Sequence, residues 1–257
     1  MSAQTAALSL LALAGIPLIK QGDDLADVIL QGLTSSGAEL QPGDVIVLAQ
    51  KIVSKAEGRQ IELSSVTPSP RALELAPVID KDPRLVELIL NESTEVLRTR
   101  PGVIVVEHRL GLVLANAGID QSNVGQDESE QALLLPLDPD QSCKFLRDAL
   151  HQRTGVDVAV VIIDSLGRAW RNGTVGIAIG VSGLPGLLDM RGDPDLFDRP
   201  LKTTELGLAD EVAAAASLVM GQASEGRPIV LMRGVPYNRR EGSAAELLRP
   251  KELDMFR

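Results

Sequence analysis

The chain has 257 residues and carries 25 basic against 35 acidic side chains, a formal net charge of −10. Affinity for a nucleic-acid backbone comes from accumulated Lys and Arg, so this balance excludes a general nucleic-acid binder, and any anionic ligand must be met by local charge. With one cysteine and two histidines, an internal disulfide, a CxxC redox pair, a structural zinc site and a histidine triad all lack raw material, and chemistry falls to carboxylates, hydroxyls, amides, Lys and Arg.

In chain order, the apolar stretch 6–19 is shorter than the ~20 residues of a membrane span and has no basic residue ahead of it. It is expected to form a buried strand followed by a loop, in a cytoplasmic protein with no membrane partner. Residues 45–48 read as a strand running straight into a short helical segment that carries Lys51, Lys55 and Arg59. Lysines there could reach phosphates as point charges, although an exposed helical face is the commoner use of such a run. Ser69-Pro70 has the cap and first-turn chemistry of a helix start. Residues 83–99 put Leu85, Leu88, Ile89 and Val96 at helical spacing, and 103–108 with 112–115 form a hairpin candidate. A helix capped by Asp140 or Ser142 and stopped at Gly155 is expected within 136–155. Residues 156–163 should be a central buried strand, 174–183 a glycine-rich strand, 203–221 a helix, and 228–234 a last strand. Composition draws no internal boundary, so residues 1–257 are read as a single unit.

Two apolar runs break in the same way. One ends in Asn116, Gly118 and Asp120, the other in Asp164 and Ser165 followed by the glycine-rich, basic segment 167–176. Carboxylates beyond strand ends, with oxygen-bearing neighbours Asn123 and Ser165, suit a hard cation such as Mg2+ or Mn2+. Asp also caps turns very often, and both uses stay open for each residue. In the basic segment, Gly167, Gly173 and Gly176 could let backbone N–H groups approach a phosphate, with Arg168 and Arg171 supplying charge; a solvated turn is the alternative. The helix ending near Met220 leads into Gln222, Ser224 and Glu225, where a helix C-terminus favours cations.

The segments GIPLIKQGDDLADVI, GDVIVLAQKIVSKAEGR, LANAGIDQSNV, LLLPLDPD, VVIIDSLGRAWRNGTVGIAIGVSG and LADEVAAAASLVMG, in this order, resemble the coenzyme F420 γ-glutamyl ligases, which add L-glutamate to a deazaflavin coenzyme precursor. The resemblance implies an α+β fold of mixed sheets and helices in two closely joined subdomains, a homodimer, GTP as co-substrate, and one or two Mg2+ or Mn2+ ions, with K+ a further candidate. It implies GTP contacts at Ile16, Pro17, Leu18, Ile19, Ala49, Gln50, Lys55, Asn123, Met220, Gly221, Gln222, Ala223, Ser224, Glu225, Gly226 and Arg227. Metal ligands are implied at Asp120, Asp164, Ser165 and Gln222, and catalytic roles for Asp120, Asp164 and Lys55. Arg168 and Arg171 are candidates for the acceptor's phosphodiester or carboxylate. Two positions depart from the pattern: Ser165 stands where Thr is usual, and Gln222 where an acidic residue is usual. A ligase acting on a folate-like or peptide carboxylate, and a non-catalytic nucleotide and metal binding module, are the competing readings.

Overall fold

A computed structural model describes residues 6–121 and 130–255. From the N-terminus, β1 (Ser9–Ala12) leads to α1 (Leu25–Ser35), whose cap Asp24 accepts hydrogen bonds from the Ala26 and Asp27 amides. The fully apolar β2 (Val45–Ala49) runs directly into α2 (Gln50–Ala56). Next come β3 (Gln60–Glu62), α3 (Pro70–Ile79) capped by Ser69, and α4 (Pro83–Asn91) capped by Asp82, the last two each with proline in the first turn. Then follow β4 (Ser93–Arg100), β5 (Val103–His108), β6 (Val113–Ala115) and β7 (Gln131–Leu133). The rest of the chain forms α5 (Pro139–Thr154), β8 (Ala159–Arg168), β9 (Arg171–Ser182), β10 (Leu188–Asp189), β11 (Glu205–Leu206), α6 (Leu208–Met220) and β12 (Ile229–Arg233).

The fold is α+β. Its main sheet has the order β1-β12-β2-β8-β9, antiparallel throughout except for the parallel β2–β8 pair. Alternation along the strands feeds two cores. Ile46, Leu48, Val160, Ile162 and Leu231 face α1 and α5, whereas Val45, Val47, Val161, Ile163 and Val230 face α6. Parallel neighbours need a long crossover, and the chain fills this one with a second body: α3 and α4 pack on β4-β5-β6 and β3-β7 around Ile79, Ile89, Ile104 and Val106. The two joined subdomains are therefore the sheet and a unit inserted between β2 and β8. Among the described residues no helix is long and apolar enough to cross a membrane. The thiol of Cys143 is fully buried, and burial pushes its pKa well up.

Four expectations change. β1 is an edge strand, half exposed along its length, because it pairs with β12 alone; burial begins only at Leu13. The helix expected over 83–99 stops at Asn91, and Val96 lies in β4, where Thr94, Val96 and Thr99 suit a pleated, paired surface. Asp138, not Asp140 or Ser142, caps α5, its side chain accepting from the Gln141 amide at 3.0 Å. Asp140 instead accepts from the amides of Val181 and Ala244, pinning the C-terminal segment to the sheet. Finally, the turn alternative for 167–176 holds only at its tip: β8 and β9 run on through the segment as one hairpin arm, closed by the turn at Ala169-Trp170, with Gly167 opposite Thr174 and Ser165 opposite Gly176.

Gly176 owes its place to packing. A Cβ there would lie 2.6 Å from the Ala213 carbonyl oxygen and 2.8 Å from Ser217 Cβ, both on α6. Gly176→Ala is expected to cost about 2 kcal/mol through this overlap, read by thermal unfolding; a loss near zero would mean that α6 can shift aside.

Candidate active site

One end of the sheet gathers most of the singled-out residues. The carboxyl ends of β1 and β2, the outer part of β8 and the amino end of β12 all open there, as the pairings Ile229↔Leu48 and Ala49↔Ile163 show. Segments 16–19, 49–55, 164–165 and 220–227 are therefore neighbours. Ile19 is buried in the core while Leu18 is 71% exposed, and 222–227 are exposed.

The inserted unit contributes Asp120. After β6, Asn116, Ala117 and Gly118 are consecutively left-handed, at φ 53°, 54° and 66°. Asn and Gly tolerate that region, but an alanine there costs on the order of 1 kcal/mol. The turn redirects the chain so that Asp120 pairs with Leu133 through both backbone groups, at 3.0 and 2.8 Å. The carboxylate then meets the first turn of α2. Gln50 Nε2 donates to Oδ2 at 3.0 Å, and Lys51 Nζ lies 3.3 Å from Oδ1. Ser54 Oγ, one helical turn on, donates to Gln50 Oε1 at 2.9 Å and so fixes which end of the amide faces Asp120.

Asp164 comes from the sheet. Alternation along β8 sets it on the face of Val160, Ile162 and Leu166, the side of α1, α2 and α5. Its Oδ1 accepts from the Ser165 amide at 2.8 Å. Burial, then the negative charge of Asp120, push its pKa up to about 6, against the opposing pull of the Ser165 N–H and Lys51. Burial also raises the pKa of Asp120, with Lys51 and Gln50 opposing. Burial and the Lys51 charge lower that of Lys55. Two carboxylates and two ammonium groups thus sense one another within one half-buried cluster, the arrangement expected where charge is handled rather than merely solvated.

Ser165 points the other way, with Ile163, toward α6. There its Oγ donates to Gln222 Oε1 at 2.8 Å. The four expected metal ligands therefore form two pairs, Asp120 with Asp164 and Ser165 with Gln222, on opposite faces of β8 and joined through the Asp164–Ser165 peptide. The nearby carboxylate of Glu225 folds back beneath Gly221 and accepts from the Ala223 amide at 2.8 Å, which holds its pKa down. Among the described residues no third His, Cys, Asp or Glu joins the Asp120–Asp164 pair. Two mutually repelling carboxylates nevertheless fit a Mg2+-type ion, which is held by one or two carboxylates and completes its shell with water and phosphate oxygens; such an ion would take the place that Lys51 Nζ now holds beside Asp120.

Of the other candidates, Asn123 lies outside the described residues. Arg59 leaves the site: it follows the end of α2, donates to Glu92 at 2.9 Å and to the Leu135 carbonyl, and joins the two subdomains. Arg168 and Arg171 stand at the end of the arm. Lys51 was legible only as one charge in a basic run, yet it is the lysine that pairs with Asp120; the usable signal was its i, i+4 spacing to Lys55, which gives the two one helix face.

A family model described as F420-0:Gamma-glutamyl ligase matches residues 15–234. Proteins named coenzyme F420:L-glutamate ligase from Methanothermobacter thermautotrophicus, Methanopyrus kandleri and Methanocaldococcus jannaschii are 50%, 47% and 42% identical to this chain. These matches cover 97%, 93% and 94% of this chain and 99%, 93% and 94% of those proteins. With its end-to-end similarity and the carboxylate pair between sheet and insertion, the chain belongs to the F420-0:gamma-glutamyl ligase family.

Proposed function

We propose that this chain joins L-glutamate to the terminal carboxylate of a glutamate-free deazaflavin coenzyme precursor, using GTP to activate that carboxylate as an acyl phosphate. The observation that carries the reading is the Asp120–Asp164 pair, half-buried beside Lys51 and Lys55 at the sheet end where segments 16–19, 49–55 and 220–227 converge.

A carboxylate and an amine do not condense in water without activation. Transfer of the γ-phosphoryl group to the acceptor breaks the β–γ phosphoanhydride, releases GDP and leaves a mixed anhydride; the amine of glutamate attacks its carbonyl carbon and expels phosphate. Asp120 and Asp164 would hold Mg2+ or Mn2+, which would supply positive charge to the triphosphate. Gln50 and Ser54 keep Asp120 in a fixed orientation. Lys51 supplies positive charge at Asp120, and Lys55, its ammonium eased toward neutrality by burial, lies along the phosphates. Ser165 and Gln222 set the 221–227 segment against the end of β8, where Met220–Arg227 with Ile16–Ile19 and Ala49 surround the nucleotide. The enzyme acts as a homodimer in the cytoplasm.

The test supplies GTP, Mg2+ or Mn2+, glutamate and the glutamate-free deazaflavin, and follows product mass together with GDP. One GDP per amide is expected, with folate-like and peptide carboxylates left unreacted. Tight GTP binding without turnover would favour the binding-module alternative.

A further inference from the structure

Three local costs meet at the end of the β8–β9 arm. Arg168 and Arg171 are direct partners across the hairpin, where like charges repel. Between them, Trp170 occupies left-handed backbone at φ 63°, a region that bulky residues rarely adopt. Its side chain is 88% exposed although it is the only tryptophan in the chain. Costs gathered at one point mark a place where binding sets the sequence. An anion held between two guanidiniums removes the repulsion, and a flat ring laid on the indole covers its exposed face.

The arm is continuous with the site. Alternation sets Arg168 on the same face of β8 as Asp164 and Leu166. It stands four residues beyond Asp164, about 13 Å at the strand rise, with the tip near 20 Å. Arginine's length and a phosphate-held carboxylate span the first interval, and an extended ring-bearing tail spans the second. The other described aromatic side chains lie elsewhere: Tyr237 donates to the Gly43 carbonyl at the opposite end of the sheet, Phe145 is on α5, and Phe197 follows β10.

We propose that the arm tip is the subsite for the distal end of the acceptor, with Arg168 and Arg171 meeting an anionic group of its tail and Trp170 stacking on a planar ring. This rests on the reading of the Asp120–Asp164 pair as the place where the acceptor carboxylate reacts. The subsite selects substrates that combine a ring, an anion and a carboxylate along one extended chain.

Steady-state kinetics on two acceptors test it: the glutamate-free deazaflavin, and a ringless phosphodiester with the same carboxylate end. Trp170→Ala is expected to raise KM for the deazaflavin about 10-fold, with kcat and the KM values for GTP and glutamate little changed, and Trp170→Phe is expected to recover most of the loss. The wild-type preference for the ring-bearing acceptor should shrink by the same factor in the alanine variant. A deazaflavin KM unchanged by Trp170→Ala overturns the subsite, as does an equal loss on both acceptors. Conversion of a dimer to monomers by Trp170→Ala, seen by light scattering, also overturns it by assigning the tip to contacts between copies. Failure of the wild-type chain itself to turn over the deazaflavin overturns the functional reading instead, and the subsite with it.

Discussion

Asp164→Asn is expected to abolish glutamate addition while making the protein more stable at neutral pH. Loss of a carboxylate that holds the ion beside the triphosphate should lower turnover by at least about 10³-fold, or ~4 kcal/mol of barrier, read as the mass of the deazaflavin product. The stability gain follows from linkage. Burial and the nearby charge of Asp120 raise the folded-state pKa of Asp164 to about 6, from an ordinary carboxylate value of 3.8. Its ionised form therefore costs stability that is fully felt above about 6 and vanishes below about 4. Each unit corresponds to about 1.4 kcal/mol; because the carboxylate keeps part of its solvent, the net cost is roughly 1–2 kcal/mol, or about 2–6 °C in Tm for a chain of this size. The Tm difference between variant and wild type should be positive at pH 7.5 and close on zero near pH 4. A lower Tm for the variant at pH 7.5 would mean that Asp164 serves the fold, and active Asp164→Asn enzyme would remove it from the chemistry.

Glu92→Ala is expected to be the most damaging change away from the site, at about 3–5 kcal/mol. Glu92 follows α4 and has a side chain 12% exposed. It accepts from Arg59 at 2.9 Å and Arg109 at 3.0 Å, and His108 Nε2 is 3.4 Å away. His108 Nδ1 accepts from the Leu110 amide, so Nε2 carries the ring proton; the 3.4 Å approach is an electrostatic contact rather than a well-aligned hydrogen bond. Arg59 and Arg109 also donate to the carbonyls of Leu135, Pro136 and Leu137, where the chain returns from the inserted unit to the sheet. Removing Glu92 leaves two guanidiniums facing each other at this junction. Burial pushes the pKa of Glu92 up, but His108, Arg59 and Arg109 together hold it at about 2. A depressed acid contributes stability that is present above its unfolded value near 4.5 and lost as pH falls toward 2. The variant should thus lose urea resistance at pH 7 and differ little from wild type near pH 2; equal urea midpoints at pH 7 would show the junction to be held by packing alone. Because Asp120 belongs to the inserted unit and Asp164 to the sheet, the same variant should weaken ligation through lost registry between them.

Several elements were legible without the fold because their causes are local. Ser69-Pro70 starts a helix by its own capping chemistry, the continuous apolar run before Asp164 could only be a buried strand, and the 103–115 hairpin follows from alternation across a short connection. The errors share a cause. Residues 93–99 satisfy helical spacing as well as strand alternation, and pairing with β5 decided between them. Asp138, Asp140 and Ser142 are all competent caps, and only the approach of the Val181 and Ala244 amides gave Asp140 other work. In the basic segment the turn was legible, but the length of the arm on either side of it was not, because only pairing between β8 and β9 carries the strands out to Arg168 and Arg171.

The sequence by itself determined which groups could do chemistry. Scarcity of histidine and cysteine left carboxylates and lysines, and the breaks after two apolar runs located Asp120 and Asp164. What only the tertiary structure decided was company: that Lys51 rather than Arg59 faces Asp120, that Ser165 and Gln222 meet on the opposite side of β8 from Asp164, and that Arg168 and Arg171 stand out along an arm. Side-chain type is a local property carried by each residue. Proximity depends on strand order and register, and these are fixed by pairings between segments far apart in the chain, such as Ser9 with Arg233 and Ile229 with Leu48, that local patterning does not encode.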